Sequence, residues 1–323
     1  MEKRVLKLLR EGAGSYVSGQ QISRELGVSR TMVWKTMEAL RAQGFEIDSS
    51  ARRGYRLVSG PAQMVGLDIE VGLDTSVIGS SVVSYDCVAS TIDAASALAG
   101  AGAEEGTVVV AESQSGGRGR LGRAWSSPPG SGIWTSIILR PTIPPRDAPK
   151  LTLLAAVAVA ASLRDQYQIN AGIKWPNDVL VDSRKICGAL TELVAEQDAI
   201  RYAIVSFGLN VNQTRSGFPD EVADLATSMR IETGKRFDRP EVFRRILREL
   251  DTRYNVFKRD GGADVVERWK KLSITLGRRV TVRLRTELVE GIARDIAEDG
   301  SLVLETKEGR LRQISYGDVT LAR

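Results

Sequence analysis

Residues 28–44 read VSRTMVWKTMEALRAQG. Ser29 is a favourable N-cap, because its hydroxyl can accept a bond from a first-turn backbone N–H, and Gly44 is a favourable terminator. Between them Val33, Met37 and Leu40 recur at helical spacing, which predicts a helix from Arg30 to Gln43 with one apolar stripe. Upstream, Val5, Leu6, Leu8 and Leu9 mark a first amphipathic helix, and Gln20–Leu26 a second that Gly27 ends. Downstream, Phe45–Asp48 and Tyr55–Val58 are short strand candidates around the polar tip SSARRG. Three helices followed by a basic hairpin is the order of a winged helix-turn-helix, so residues 1–60 are expected to bind DNA. Arg30, Thr31 and Lys35 then face base edges or phosphates, and Arg52 and Arg53 meet the backbone or minor groove. Any one of these arginines alone reads better as a solvated charge; the order of elements, the caps and the charge carry the reading.

Charge supports it. Of the 45 Lys and Arg and 40 Asp and Glu, residues 1–60 hold eleven and six, leaving 34 of each elsewhere. The whole surplus of +5 therefore lies in the first sixty residues, where it favours a polyanion. The chain has no histidine, which removes serine–histidine and cysteine–histidine catalysis and histidine-ligated zinc. Its two cysteines, Cys87 and Cys187, cannot build a disulfide framework, and the charged start MEKRVLKLLREG has no apolar signal region, so a cytoplasmic location is expected. The most apolar stretch, Leu151–Leu163, is too short to span a bilayer and reads as a buried helix.

Ser59-Gly60-Pro61 is a linker candidate. Beyond it strand and helix candidates alternate: 81–85, 91–100, 106–111, 132–139, 150–166, 173–175, 185–194, 202–210, 240–258 and 261–271. Strands concentrate in the middle with helices around them, an α+β domain on a mixed sheet over residues 66–272. From residue 275 to 323 the texture changes to short alternating strands (280–284, 288–296, 302–305, 311–314, 319–321) punctuated by Gly291, Gly300 and Gly309, which predicts a small β-barrel.

Two segments carry chemistry. Residues 117–122 match G-x-G-x-x-G, but the strand candidate 107–111 ends five residues early and AWSSPPGSG follows in place of a helix, so a dinucleotide fold fails on context. What remains between Gly116 and Arg123 is four glycines and three arginines: a loop that closes over an anion, or a disordered basic linker. The second segment, Lys174-Trp175-Pro176-Asn177-Asp178, follows a strand and contains turn residues; packing alone explains poorly a lysine directly before a tryptophan at a strand end.

Together, GRGRLGR at 117–123 and KWPND at 174–178 resemble the biotin protein ligase family, with KICG at 185–188 and GLNVN at 208–212 in its later positions. VSRTMVWKTMEALRAQGFEI and GYRL are similar to the winged helix of its bifunctional repressor-ligases, and the last strands to its C-terminal SH3-like barrel. The resemblance covers nearly the whole chain. It implies a ligase that joins biotin to ATP as biotinyl-5′-AMP, with Mg²⁺ near Asp178, and transfers biotin to a lysine of the biotin carboxyl carrier protein of acetyl-CoA carboxylase. It also implies a homodimer that the adenylate, as co-repressor, promotes on operator DNA of biotin synthesis or uptake genes.

Position by position, the resemblance assigns Ser90 and Thr91 to biotin, with Ile92 where the family often has Asn. It assigns Gln114, Gly117, Arg118, Gly119 and Arg120 to biotin and adenylate, Lys174 to biotin's carboxylate and the α-phosphate, and Trp125 to adenine or to a wall of the closed loop. Asn177, Asp178, Gly188 and Asn210 are assigned to nucleotide or metal, and Lys185 with Asp178 to the transfer step. Two other readings stay open: a biotin-sensing repressor without catalysis, and a lipoate-type ligase on the same general fold.

Overall fold

Ser29 caps its helix as expected, its Oγ accepting from Met32 N at 3.2 Å, and Ser18 does the same for the helix before it, accepting from Gln21 N at 3.0 Å. The computed structural model describes residues 1–196 and 199–321. Helices α1 (Glu2–Glu11), α2 (Gly19–Leu26) and α3 (Arg30–Ala42) precede an antiparallel pair, β1 (Glu46–Ser50) and β2 (Gly54–Ser59). Their apolar sides meet in one small core of Val5, Leu6, Leu9, Ile22, Val33, Met37, Leu40 and Ile47. Gly54 lies at φ +105°, where a Cβ would stand 2.2 Å from the Val17 carbonyl, so only glycine lets the wing return against the first loop. Arg30, Thr31, Lys35, Arg52 and Arg53 are all exposed; Arg53 lies over the Tyr16 ring at 4.0 Å, and Arg30 bonds Gln20 at 3.3 Å.

A short helix α4 (Gly66–Val71) follows, then the central domain: β3 (Val82–Val88), α5 (Thr91–Gly100), β4 (Val108–Gln114), β5 (Gly132–Leu139), α6 (Pro149–Tyr167), β6 (Gly172–Lys174), β7 (Asp178–Val181), β8 (Arg184–Glu196), β9 (Ala199–Asn210), α7 (Met229–Thr233), α8 (Arg239–Asp260) and α9 (Ala263–Leu272). The strands form a seven-stranded sheet in the order β3-β4-β5-β9-β8-β7-β6, with β3 and β4 parallel and the other pairs antiparallel. The sheet is mixed, as the sequence predicts. Alternate residues of the central strands serve two different cores. Val108, Val110, Ile137, Val205 and Phe207 face α6, α8 and α9, while Val109, Ile138, Tyr202 and Ile204 face α5. The apolar run from Leu151 is buried inside α6, and among the described residues no helix is long and apolar enough to cross a membrane.

The last five strands, β10 (Arg279–Arg283), β11 (Leu288–Ile296), β12 (Leu302–Thr306), β13 (Leu311–Ile314) and β14 (Asp318–Leu321), form an all-antiparallel sheet ordered β13-β12-β11-β10-β14. Among the described residues its edges β13 and β14 are not paired with each other, so the sheet does not close into the expected barrel. Three further differences from the sequence-based expectation matter. Strand β4 runs on to Gln114, so the glycine loop begins soon after a strand, and the dinucleotide fold fails because no α-helix follows the loop and the next strand, β5, is antiparallel to β4. Strand β7 begins at Asp178, which makes Trp175–Asn177 the tip of a hairpin rather than a terminal turn. Helices α4 and α7 have no counterpart among the sequence candidates.

The winged helix is tied to the central domain through α4. Leu67 and Val71 pack into the N-terminal core, and Asp68, 2 % exposed, accepts from Arg10 of α1 at 2.5 Å and from Arg244 of α8 at 2.9 Å. Lys3 adds a 2.9 Å pair with Glu70.

Candidate active site

Strands β8 and β9 present Gly188, Leu190, Ser206 and Gly208 on the face that carries α5, and the small residues among them leave a hollow beyond that helix's first turn. The hollow has a volume of about 510 Å³. Gly188 and Gly208 are register partners, and the hollow over them admits the Trp125 indole. A Cβ on Gly208 would lie 2.4 Å from Trp125 Nε1, and one on Gly188 3.3 Å from the ring. Trp125 Nε1 is buried and has no hydrogen-bond partner among the described residues.

At one side of the hollow the β6–β7 hairpin sets Lys174 and Asp178 opposite one another in register. Asp178 holds Lys174 at 3.2 Å and Lys185 of β8 at 2.5 Å. Burial would push the Asp178 carboxyl up, but Lys185 and then Lys174 outweigh it and hold it below the ordinary carboxylate range. The Lys185 ammonium stands 5.1 Å from the centre of the Trp125 ring, within cation–π reach. Asn177, 6 % exposed, bonds the Ala189 carbonyl through Nδ2 and accepts from Arg120 at 3.2 Å.

The glycine-arginine loop is folded. Gly119 N donates to Arg123 O at 2.7 Å and Trp125 N to Gly117 O at 2.8 Å, so the segment is a narrow hairpin whose exposed tip is Leu121. Arg118 is held by Asp93 at 2.8 Å and by Glu192 at 3.4 Å, and its bonds to Asp93 keep its guanidinium firmly charged. Arg120 reaches the other way, to the Gly317 carbonyl at 3.0 Å and Asp318 at 3.6 Å, and Arg123 also pairs with Asp318. Burial lowers the Arg120 pKa, with Asp318 opposing it.

Under the loop lies a chain of hydroxyls. Gln114 Oε1 accepts from Thr91 N at 2.8 Å and Thr91 Oγ1 at 3.2 Å, while its Nε2 donates to Ser127 at 2.8 Å. Ser136 donates to Thr91 at 2.9 Å and meets Ser206 at 2.8 Å. The hollow is therefore polar at the lysines, the loop and this relay, and apolar along Ile92 and Leu190.

Of the residues singled out in the sequence, Thr91, Ile92, Gln114, Arg118, Gly119, Arg120, Trp125, Lys174, Asn177, Asp178, Lys185, Gly188 and Asn210 line this one hollow. Ser90 and Gly117 do not. Ser90 is buried behind the wall as the α5 N-cap, accepting from Ile92 N at 3.2 Å, and a Cβ on Gly117 would stand 2.5 Å from the Trp125 carbonyl. Asn210 lines the hollow but spends its amide on Thr227 O at 3.0 Å and Gln213 at 3.1 Å, which pins the segment after β9. Ser136, Ser206, Gly208 and Asp318 were not singled out. Thr135-Ser136 inside GIWTSIIL and Ser206 inside AIVSFGL were visible as hydroxyls interrupting apolar strands, whereas no local signal marks Asp318, which arrives from a separate sheet. Among the described residues no group of three or more His, Cys, Asp or Glu is placed to hold a metal.

Comparison with known proteins fits this division. Residues 85–212 match the Biotin/lipoate A/B protein ligase family, 2–56 an HTH domain and 275–321 the Biotin protein ligase C terminal domain. The chain is 40 % identical over 321 residues to the Bifunctional ligase/repressor BirA of Bacillus subtilis, covering 99 % of this chain and 98 % of that one. It is 36 % identical over 234 residues to the Biotin--[acetyl-CoA-carboxylase] ligase of Mycobacterium tuberculosis, covering 70 % and 84 %. Among solved structures, the biotin protein ligase from Aquifex aeolicus in complex with biotin and ATP superposes with a TM-score of 0.64 at 30 % identity, covering 76 % of this chain and 99 % of that one.

Proposed function

Since the chain belongs to the biotin protein ligase family, in its bifunctional ligase/repressor branch, we propose that it activates biotin with ATP, transfers it to a carrier protein and represses transcription in response to biotin. The observation that carries the enzymatic half is the Lys174–Asp178–Lys185 clamp, set at 3.2 and 2.5 Å beside Trp125 in a hollow that the arginine loop overhangs.

In the first step a biotin carboxylate oxygen attacks the α-phosphorus of ATP, the bond to the β-bridging oxygen breaks, and pyrophosphate leaves. In the second the ε-amine of a lysine on the biotin carboxyl carrier protein of acetyl-CoA carboxylase attacks the acyl carbon of biotinyl-5′-AMP, AMP leaves, and the surplus amine proton passes to water. Both transition states gather negative charge on oxygens, which positioned cations stabilise. Lys174 serves the carboxylate and α-phosphate, Lys185 the transfer, and Arg118 and Arg120 the phosphates once they exchange their protein carboxylates for the ligand's. The depressed Asp178 carboxyl is a poor proton acceptor at neutral pH, so its part is to position the two ammonium groups. Thr91, Gln114 and Ser206 offer the ureido ring donors and acceptors, with Ser136 behind them bonded to Thr91 and Ser206, the apolar wall of Ile92 and Leu190 suits the hydrocarbon part of biotin, and Trp125 is the platform for adenine. Asn177, Gly188 and Asn210 shape the nucleotide side. Asp178, between the two lysines, would be the residue to share the Mg²⁺ carried by the triphosphate, which would neutralise charge on the phosphates.

We divide the chain into a DNA-binding domain to residue 60, a ligase domain over 66–272 and a C-terminal domain from 275, whose sheet is the SH3-like element of the family. The enzyme is read as cytoplasmic. Biotinyl-5′-AMP acts as co-repressor by favouring a homodimer through the central sheet, which sets two winged helices on a palindromic operator.

Purified chain with biotin and MgATP should release pyrophosphate and label a carrier domain, and Lys174→Ala should lower both by at least about a hundredfold. No pyrophosphate release by the wild type overturns the ligase. In a mobility-shift assay, operator binding that biotin and ATP leave unchanged overturns the co-repressor role.

A further inference from the structure

Helix α3 turns Val33, Met37 and Leu40 inward, and at i, i+3, i+4 and i+7 it presents Thr31, Trp34, Lys35 and Glu38 outward. Trp34 is 53 % exposed, and among the described residues it is the one exposed tryptophan; Trp134, Trp175 and Trp269 are fully buried and Trp125 lies in the hollow. Trp34 therefore puts a large aromatic ring in water in the middle of a basic helix face. The surroundings name the occupant. Arg30 and Lys35 flank Trp34 on the same helix, Arg52 and Arg53 stand exposed on the wing, and residues 1–60 hold the chain's whole positive surplus, so the covering surface is a polyanion.

An indole brings an apolar face and one N–H donor, and it accepts nothing. In the major groove only thymine combines an apolar group, its C5-methyl, with an acceptor, O4, on one edge. We propose that Trp34 is a specificity-determining residue that reads thymine in the major groove, its ring on the methyl and its N–H toward O4, while Lys35 and Arg30 hold phosphates. The proposal rests on the repressor reading and names what that helix reads.

The test uses the full-length chain with biotin and MgATP and a duplex selected by it from a randomised library. Each thymidine of that duplex is replaced in turn by deoxyuridine, which removes the methyl alone. Wild type should lose roughly three- to fivefold in affinity at one or two thymines of each half-site, the value of one buried methyl group. Trp34→Ala should be indifferent to those same replacements and keep the wild-type salt dependence. Trp34→Phe, which keeps the apolar ring, should stay sensitive to them. Lys35→Ala should weaken every sequence alike and flatten the salt slope by about one. If wild type tolerates every deoxyuridine, or Trp34→Ala loses as much as wild type at the same thymines, the proposal is wrong while the repressor reading stands. If wild type selects no sequence from the library, both fall. Thermal unfolding of the variants, expected within a degree or two of wild type because the side chain is exposed, separates a folding defect from weaker base recognition.

Discussion

A single carboxylate sets the electrostatics of the hollow. Because the folded pKa of Asp178 lies below its unfolded value, its pairing contributes stability that is fully present above the unfolded value, about 4, and is lost as pH falls through the folded one. Asp178→Asn should therefore cost about 1–2 kcal/mol at pH 7, a figure reduced because Lys174 and Lys185 are partly exposed, and in unfolding titrations the difference from wild type should shrink as pH falls through the folded value. Gly208→Ala makes a contrasting prediction. Its Cβ would meet the Trp125 ring at 2.4 Å, so the indole must move, and the KM for ATP should rise severalfold with little change in melting temperature. The two thiols differ as well. Cys187 is buried, and burial raises its pKa, whereas Cys87 is exposed, so a thiol reagent should titrate one cysteine in the native chain and two in denaturant. The lysines, the arginines and Trp125 were legible because short motifs hold them together. The capping role of Ser90 was not legible, because the same hydroxyl that suits a ligand also suits a helix cap, and here it caps α5.

At the level of elements, helix α3 depends on its cap. Ser29→Ala removes the bond to Met32 N and should cost about 1 kcal/mol, read by chemical denaturation, while loosening the first turn that carries Arg30 and Thr31. This helix, the buried α6 and the C-terminal strands could be read from periodicity and caps with boundaries off by a few residues. Helices α4 and α7 could not, for they have only six and five residues, and their sequences show no second apolar turn. Strand β7 was hidden because the turn residues Pro176 and Asn177 masked the strand that starts at Asp178, and its register with Lys174 follows only from the hairpin. That register makes the clamp.

For the whole molecule, the joint between DNA-binding and ligase domains is polar at its centre. Asp68 sits between Arg10 and Arg244, almost wholly buried, so Asp68→Ala leaves two guanidiniums without their carboxylate and should cost about 3–5 kcal/mol. Limited proteolysis should then cut near residues 59–63 faster than in wild type, whereas equal cleavage rates would show that Leu67 and Val71 alone hold the joint. No sequence pattern announces this contact, because its three partners are separated by 58 and 176 positions. The same holds for Asp318, which reaches the arginine loop from the C-terminal sheet and makes that sheet part of the wall of the hollow. The seat of Trp125 has an optical consequence. With three of the five tryptophans buried, the two remaining indoles stand one at each binding surface, Trp34 toward solvent and Trp125 beneath the Lys185 ammonium. Nucleotide filling the hollow and DNA covering α3 would each change the emission of a different fluorophore, so a Trp34→Phe chain would report adenylate formation by light alone and the parent protein would report both events in one cuvette.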